Sequence, residues 1–266
     1  MKNTKFYLQA AMLLLPAFLS AQNVIPEPTQ YRPAKGQFVL TAAETKAFEA
    51  QDVLPGRVVQ CVISGSTPMD ADEAYHLKIT PDSVFIQSAT ATGAFRGKET
   101  LKQLLRSGKG TAKACVINDA PRYAWRGFML DESRHFFGKK KVKQLLDIMA
   151  SLRLNVFHWH LTDEPGWRIE IKKYPLLTQI GAKGNWHDPD APATFYTQDD
   201  IKEIVAYAAA RHIMVVPEFD MPGHATAACR AYPELSGGGE GRWKDFTFHP
   251  CKEETFRFIS DVLDEL

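Results

Sequence analysis

Three short apolar runs in the second half of the chain each end in a cluster of ionisable side chains. Asp131-Glu-Ser-Arg-His135 closes the first, His158-Trp-His-Leu-Thr-Asp163 the second, and Pro217-Glu-Phe-Asp-Met-Pro-Gly-His224 the third. Strand side chains alternate between two faces, so His158 and His160 share one face while Phe157 and Trp159 take the other. By the same parity Glu218 and Asp220 point one way, with Phe219 opposed. An apolar strand that runs into a charged loop is the pattern of a site at the carboxyl end of a parallel strand. Carboxylates, imidazoles and a guanidinium gathered there can move protons or grip a polar substrate. Taken singly, each has a structural explanation: Arg134 or Glu218 in an ion pair, Asp163 or His224 capping a turn. Three such ends in succession favour one shared pocket.

Positioning these groups requires alternating strands and helices. Residues 127–131 read as a short apolar strand. Over 141–152, Val142, Leu145, Leu146 and Met149 fall at i, i+3, i+4 and i+7, which predicts a helix. The strand ending at Asp163 follows. Thr197-Gln-Asp-Asp200 resembles a capping box, and Ile201, Ile204, Val205 and Ala208 continue the helix. Residues 213–216 are unbroken in apolar character, as parallel strands covered on both faces are. A last helix starts near Lys252, with Phe256, Ile259, Leu263 and Leu266 on one stripe. Three βα units imply right-handed crossovers and a parallel sheet, and fit either an open sheet or a barrel.

The 266 residues, 45% hydrophobic and 24% charged, allow one large domain or two ordinary ones. A formal net charge of +1 gives no electrostatic case for nucleic acid or an anionic membrane surface. Residues 1–21 read as a secretory signal peptide: Lys2 and Lys5, an apolar run over 10–19, then Ser20-Ala21. The run is shorter than the roughly 20 apolar residues of a transmembrane helix. The expectation is an exported protein, periplasmic or extracellular, with no membrane insertion after cleavage. Residues 22–120 read as a small α/β domain with strands at 37–41, 57–63 and 114–117. A hairpin is expected around Pro81-Asp82, and a helix over 92–107 with Phe95, Leu101, Leu104 and Leu105 on one face. His76 falls on the hairpin surface, and nothing in this half carries chemistry. Asp119-Ala-Pro-Arg122 separates it from the unit at 121–266. The four cysteines allow three pairings. Cys61 with Cys115 and Cys229 with Cys251 is one choice; buried free thiols are the other.

The stretch Arg126-Gly-Phe-Met-Leu-Asp-Glu-Ser-Arg-His-Phe-Phe137, the stretch 155–170 and Glu218-Phe-Asp-Met-Pro-Gly-His224 resemble successive signatures of the β-N-acetylhexosaminidases, glycoside hydrolase family 20. The likeness covers nearly all of the chain after the leader. It implies a small N-terminal α+β domain followed by a (β/α)8 TIM barrel, incomplete here with about three βα units. It implies removal of terminal β-linked N-acetylglucosamine or N-acetylgalactosamine from glycans, with no cofactor and no metal. In this scheme the substrate's own acetamido oxygen attacks the anomeric carbon. Carried over by position, Arg134 clamps sugar hydroxyls, Asp163 holds His224, and His224 faces the acid/base Glu. Asp220 joins the polar floor, and Glu218 is a weaker substrate-binding candidate.

Two departures accompany the likeness. The loop reads Thr-Asp-Glu-Pro where the family more often has Thr-Asp-Asp-Gln. The family's Asp-Glu pair, in a His-x-Gly-Gly-Asp-Glu pattern at the fourth strand, does not occur here. The final residues, 261–266, place acids at the helix end that the macrodipole disfavours while the apolar stripe still runs. The expectation is a fragment that does not turn over substrate alone. Two other readings stand beside it. One is a non-catalytic sugar-binding module using Arg134 with Trp159, Trp167 and Trp186. The other is a metal-dependent hydrolase using His158 and His160 with Asp163, Asp220 and His224. The second is weakened because an amidohydrolase carries its His-x-His on the first barrel strand, not the second.

Overall fold

A computed structural model describes residues 23–62 and 73–266, so the signal-peptide reading of 1–21 lies outside the described residues. The first half builds one sheet. Its elements are β1 (Gln30–Val39), α1 (Ala42–Gln51), β2 (Val58–Val62), β3 (Tyr75–Ile79), β4 (Val84–Ser88), α2 (Ala91–Ser107) and β5 (Thr111–Asp119). The strand order is β1-β5-β3-β4-β2, antiparallel except for β2 against β4. β3 and β4 form the expected hairpin, its turn closed by the Thr80 N–H donating to Ser83 O at 2.9 Å. Leu77, Ile79, Val84 and Ile86 alternate onto the face that packs against Leu101, Leu104 and Leu105 of α2. β1 starts earlier than its apolar run suggested, because a register shift between Pro33 and Gln37 interrupts the alternation. α1 was not foreseen. Only Phe48 of it is buried, so the apolar pattern is silent; its signal is the capping box made by Thr41 and Glu44.

The cysteine pairing does not form. All four are free thiols, Cys115 and Cys229 buried, Cys61 and Cys251 exposed. Cys61 lies on β2 and Cys115 on β5, with β3 and β4 between them. Three strand spacings of about 4.8 Å put them well beyond the ~7 Å Cα limit for a disulfide.

The second half contains β6 (Gly127–Asp131), α3 (Lys139–Ser151), β7 (Val156–Asp163), β8 (Gly166–Trp167), α4 (Gln198–Ala209), β9 (Met214–Phe219), α5 (Thr226–Ala231) and α6 (Glu253–Asp264). β6 and β9 flank β7, both parallel to it, with Phe128 opposite Phe157 and Val215 opposite Phe157 on the other side. The two-residue β8 folds back antiparallel on the end of β7, pairing Asp163 with Gly166. Phe157, Trp159 and Leu161 pack outward against Val142, Leu146 and Met149 of α3 and Ile204 and Ala208 of α4. The result is part of a (β/α)8 barrel beside a small α+β layer. No helix among the described residues is long and apolar enough to cross a membrane.

Polar contacts tie the halves together. Glu73 accepts from Arg96 Nε at 2.7 Å, from Arg126 Nη2, and from Asn155 Nδ2 at 3.0 Å. Arg96, itself buried on α2, reaches His212 O at 2.8 Å.

Candidate functional site

Asp163 closes β7, and its side chain is 1% exposed. One oxygen, Oδ2, meets Arg134 Nη1 at 2.6 Å and His160 Nε2 at 2.9 Å. The other, Oδ1, meets His224 Nδ1 at 3.0 Å and accepts the Glu164 N–H at 2.6 Å. Arg134 sits three residues past the end of β6 and also donates from Nη1 to Asp131 Oδ2 at 2.9 Å. Asp131 Oδ1 in turn accepts the Arg134 N–H at 3.0 Å, which fixes the turn that carries the guanidinium. From β9, Glu218 reaches His160 Nδ1 at 3.0 Å and also pairs with His158. The Asp220 N–H donates to Thr162 Oγ1 at 2.9 Å, and the Asp220 carboxyl lies 3.8 Å from His160 Nε2. All five expected residues, Arg134, Asp163, Glu218, Asp220 and His224, therefore meet at the carboxyl ends of three strands.

The charges follow from these contacts. Burial works against ionising Asp163, but the hydrogen bonds from His160 and the Glu164 N–H and the charge of Arg134 win, holding it down to about 2. His160 is also opposed by burial, and its hydrogen bonds to Asp163 and Glu218 lift it to about 9. A protonated His160 donates from both nitrogens. Its 3.2 Å approach to Arg134 Nη1 is then a like-charge contact held by the shared Asp163 oxygen, not a hydrogen bond. Asp220 is pushed up to about 6, by burial first and then by its contact with Asp163. His224 takes a left-handed backbone, φ 53°, which histidine tolerates better than most residues. Asp163 on Nδ1 and the edge of Phe246 at 4.9 Å hold its ring.

Among the described residues, two groups of side chains have metal-ligand spacing: His160, Asp163 and Asp220, and Asp163, Glu164 and His224. Both share Asp163, whose Oδ2 already faces the Arg134 guanidinium. A metal-ligating histidine must be neutral, so an ion there would compete with the proton that Asp163 and Glu218 favour on His160. His158 turns to Glu218 and joins neither group. The cluster is an ion-pair network balanced by Arg134 and His160.

The aromatic expectation needs correction. Trp159 and Trp167 are buried in the core, Trp159 against Tyr196 and Trp167 against Phe258, so neither can meet a sugar. Strand parity already set Trp159 with Phe157, on the face away from the two histidines. Trp186 alone of the three is exposed, at 64%, and its N–H donates to Arg134 O at 3.1 Å. Two residues of the site were missed as such. His160 entered only as a metal ligand, although sharing a face with His158 placed it inside. Asp131 entered only as the first residue of the first cluster, although Asp-x-x-Arg at a strand end spaces an acid to pair with Arg134.

Fold and site together define a class: an α/β-barrel protein with its ionisable groups gathered at the carboxyl face of the sheet. Residues 123–266 match the family model for the catalytic domain of glycosyl hydrolase family 20, and residues 45–120 match that for its domain 2. The chain belongs to glycosyl hydrolase family 20. It is 34% identical to the beta-hexosaminidase of Porphyromonas gingivalis, over 97% of this chain and 38% of that protein. It is also 34% identical to the beta-hexosaminidase of Vibrio furnissii, over 92% of this chain and 46% of that one. Among solved structures, the Streptomyces plicatus N-acetyl-beta-hexosaminidase matches with a TM-score of 0.80 at 33% identity, covering 92% of this chain and 56% of that one. The Vibrio harveyi exo-beta-N-acetylglucosaminidase, solved with N-acetylglucosamine, gives a TM-score of 0.79 at 30% identity, covering 92% and 44%. The chain spans less than half the length of these two curated relatives.

Proposed function

We propose that this chain carries the sugar-holding part of an exo-acting β-N-acetylhexosaminidase. The substrate class is a glycan ending in β-linked N-acetylglucosamine or N-acetylgalactosamine, and the chemistry is retaining and assisted by the substrate's acetamido group. One observation carries this reading: buried Asp163 binds Arg134, His160 and His224 at once, at the ends of parallel strands. Arg134 would present its planar fork of donors to vicinal hydroxyls of the terminal sugar. Asp163 fixes His224 through Nδ1, so Nε2 is the nitrogen that would face the acid/base carboxyl and tune it. Glu218 and Asp220 hold His160 beneath them, which makes both supporting groups. The family's Asp-Glu pair has no counterpart in these 266 residues, so on this reading the chain alone holds sugar without cleaving it. Lys2, Lys5 and the apolar run after them support export to the periplasm or beyond.

The test assays this chain beside a version extended through the natural downstream sequence, on a chromogenic β-N-acetylglucosaminide. Turnover by the extended form only is the expected result. Turnover by the 266-residue chain would overturn the proposal and direct attention to Glu218 and Asp220 as acids. Silence in both, with N-acetylglucosamine binding weakened by Arg134→Ala, would leave a binding module.

A further inference from the structure

Arg168 follows β8 and is fully buried, yet no carboxylate lies within ion-pair distance of it among the described residues. Burial lowers its pKa only to about 10, so it stays charged at neutral pH. Its donors go instead to oxygens, all but one of them backbone carbonyls, of three separate segments. Nε donates to Glu132 O at 3.2 Å, and Nη2 to Ser133 O at 2.8 Å and Gly184 O at 2.6 Å. Nη1 donates to Ala182 O at 2.6 Å and to Thr194 O and Oγ1, each at 3.2 Å. A buried cation is expensive unless its donors are all used, and a single guanidinium is the side chain able to span three strands of backbone.

These contacts close a ring. Arg168 holds Ser133, the residue before Arg134. Trp186 N–H holds Arg134 O at 3.1 Å. Trp186 is joined through Asn185 to Gly184, whose carbonyl returns to Arg168. Within that loop Asn185 Oδ1 accepts the N–H groups of His187 and Asp188, both at 2.9 Å. Gly166 leaves room for the guanidinium, since a Cβ there would fall 2.3 Å from Arg168 Cζ. Both peptide links flanking the Arg134 Cα are thus tied, directly or through Trp186, to one buried side chain.

We propose that Arg168 is the positioning residue for Arg134: by closing this ring it sets where the sugar-clamping guanidinium stands. The inference rests on the reading of Arg134 as the clamp, and is tested partly without sugar. The probe is the Arg134 Nε–Hε resonance of the 266-residue chain, assigned by its loss in Arg134→Ala. Arg168→Lys keeps the cation but cannot span three segments. Trp186→Pro removes the exposed loop's N–H bond to Arg134 O and restricts Asn185 beside it, while keeping the Arg168 side chain. In each folded variant the Arg134 resonance is expected to shift and broaden while methyl signals of the α2 core stay in place. N-acetylglucosamine affinity should weaken about fivefold or more in Arg168→Lys, and by less than about twofold when Arg134 is already Ala, because residues acting through one another are not additive. An unmoved Arg134 resonance, or losses that simply add, overturns the proposal. If Arg168→Lys does not fold, Trp186→Pro decides. If the parent chain binds no sugar, the reading of this chain as sugar-holding by itself fails, and the resonance still decides the positioning role.

Discussion

At the scale of the residue, the site's charges make its stability depend on pH from both sides. Asp163 is held at about 2 against an ordinary 3.8, so its stabilisation is present above pH ~4 and lost as pH falls through 2. His160 is held at about 9 against 6.5, so its stabilisation is present below pH ~6.5 and lost as pH rises through 9. Asp220, raised to about 6, loses stability as pH climbs from ~4 to 6. Urea midpoints at pH 5, 7 and 9 should therefore fall in that order, and His160→Gln should flatten the step from 7 to 9. An equal slope in both proteins would remove His160 as its cause. Asp163→Asn takes the charge from a carboxylate that serves Arg134, His160 and His224 together. It should destabilise by about 3 kcal/mol, in the range for breaking a buried pair. The His160 ring protons, followed by NMR, should then titrate well below 9.

At the scale of the element, helix α2 shows where propensity yields to packing. Alanine normally improves on glycine inside a helix by up to ~1 kcal/mol. At Gly93 an added Cβ would stand 2.3 Å from Ala74 O, and at Gly97 2.7 Å from Ile86 Cγ2. The helix lies so close to the sheet because these two positions lack side chains. Gly93→Ala should thus lose about 2 kcal/mol by overpacking against backbone, read as a lowered urea midpoint. A stabilised variant would show that the helix can slide. α1 is the opposite case: with little buried surface it leans on its cap, and Thr41→Ala should lose about 1 kcal/mol. The apolar period made α2, α3, α4 and α6 legible, whereas α1 and the six-residue α5 were too short or too weakly amphipathic to register.

At the scale of the molecule, Glu73 is the residue on which the two halves meet. It receives Arg96 from α2, Arg126 from the strand entry and Asn155 from the start of β7. Removing it leaves the buried Arg96 guanidinium without a carboxylate. Glu73→Ala should turn a single cooperative unfolding transition into two, with the α+β half and the barrel half followed by separate probes. A transition that stays single would assign the coupling to the apolar contacts of α2 and α3. Nothing in the local pattern near Glu73 announced this role, since its partners lie 23, 53 and 82 positions away.

The sequence alone determined what periodicity and strand parity can determine. It placed β6, β7 and β9, the capped helix after Thr197, and the five ionisable residues that converge at the strand ends. Those are local properties: a repeat of two or of 3.6 residues fixes which side chains share a face. Tertiary structure decided the rest. It put two strands between Cys61 and Cys115, buried Trp159 and Trp167 against the helices, and made His160 a protonated hub between two carboxylates. It also gathered the carbonyls of Ser133, Ala182, Gly184 and Thr194 around Arg168. Distances between segments remote in sequence, and the charge states they set, exist only once the chain has closed on itself.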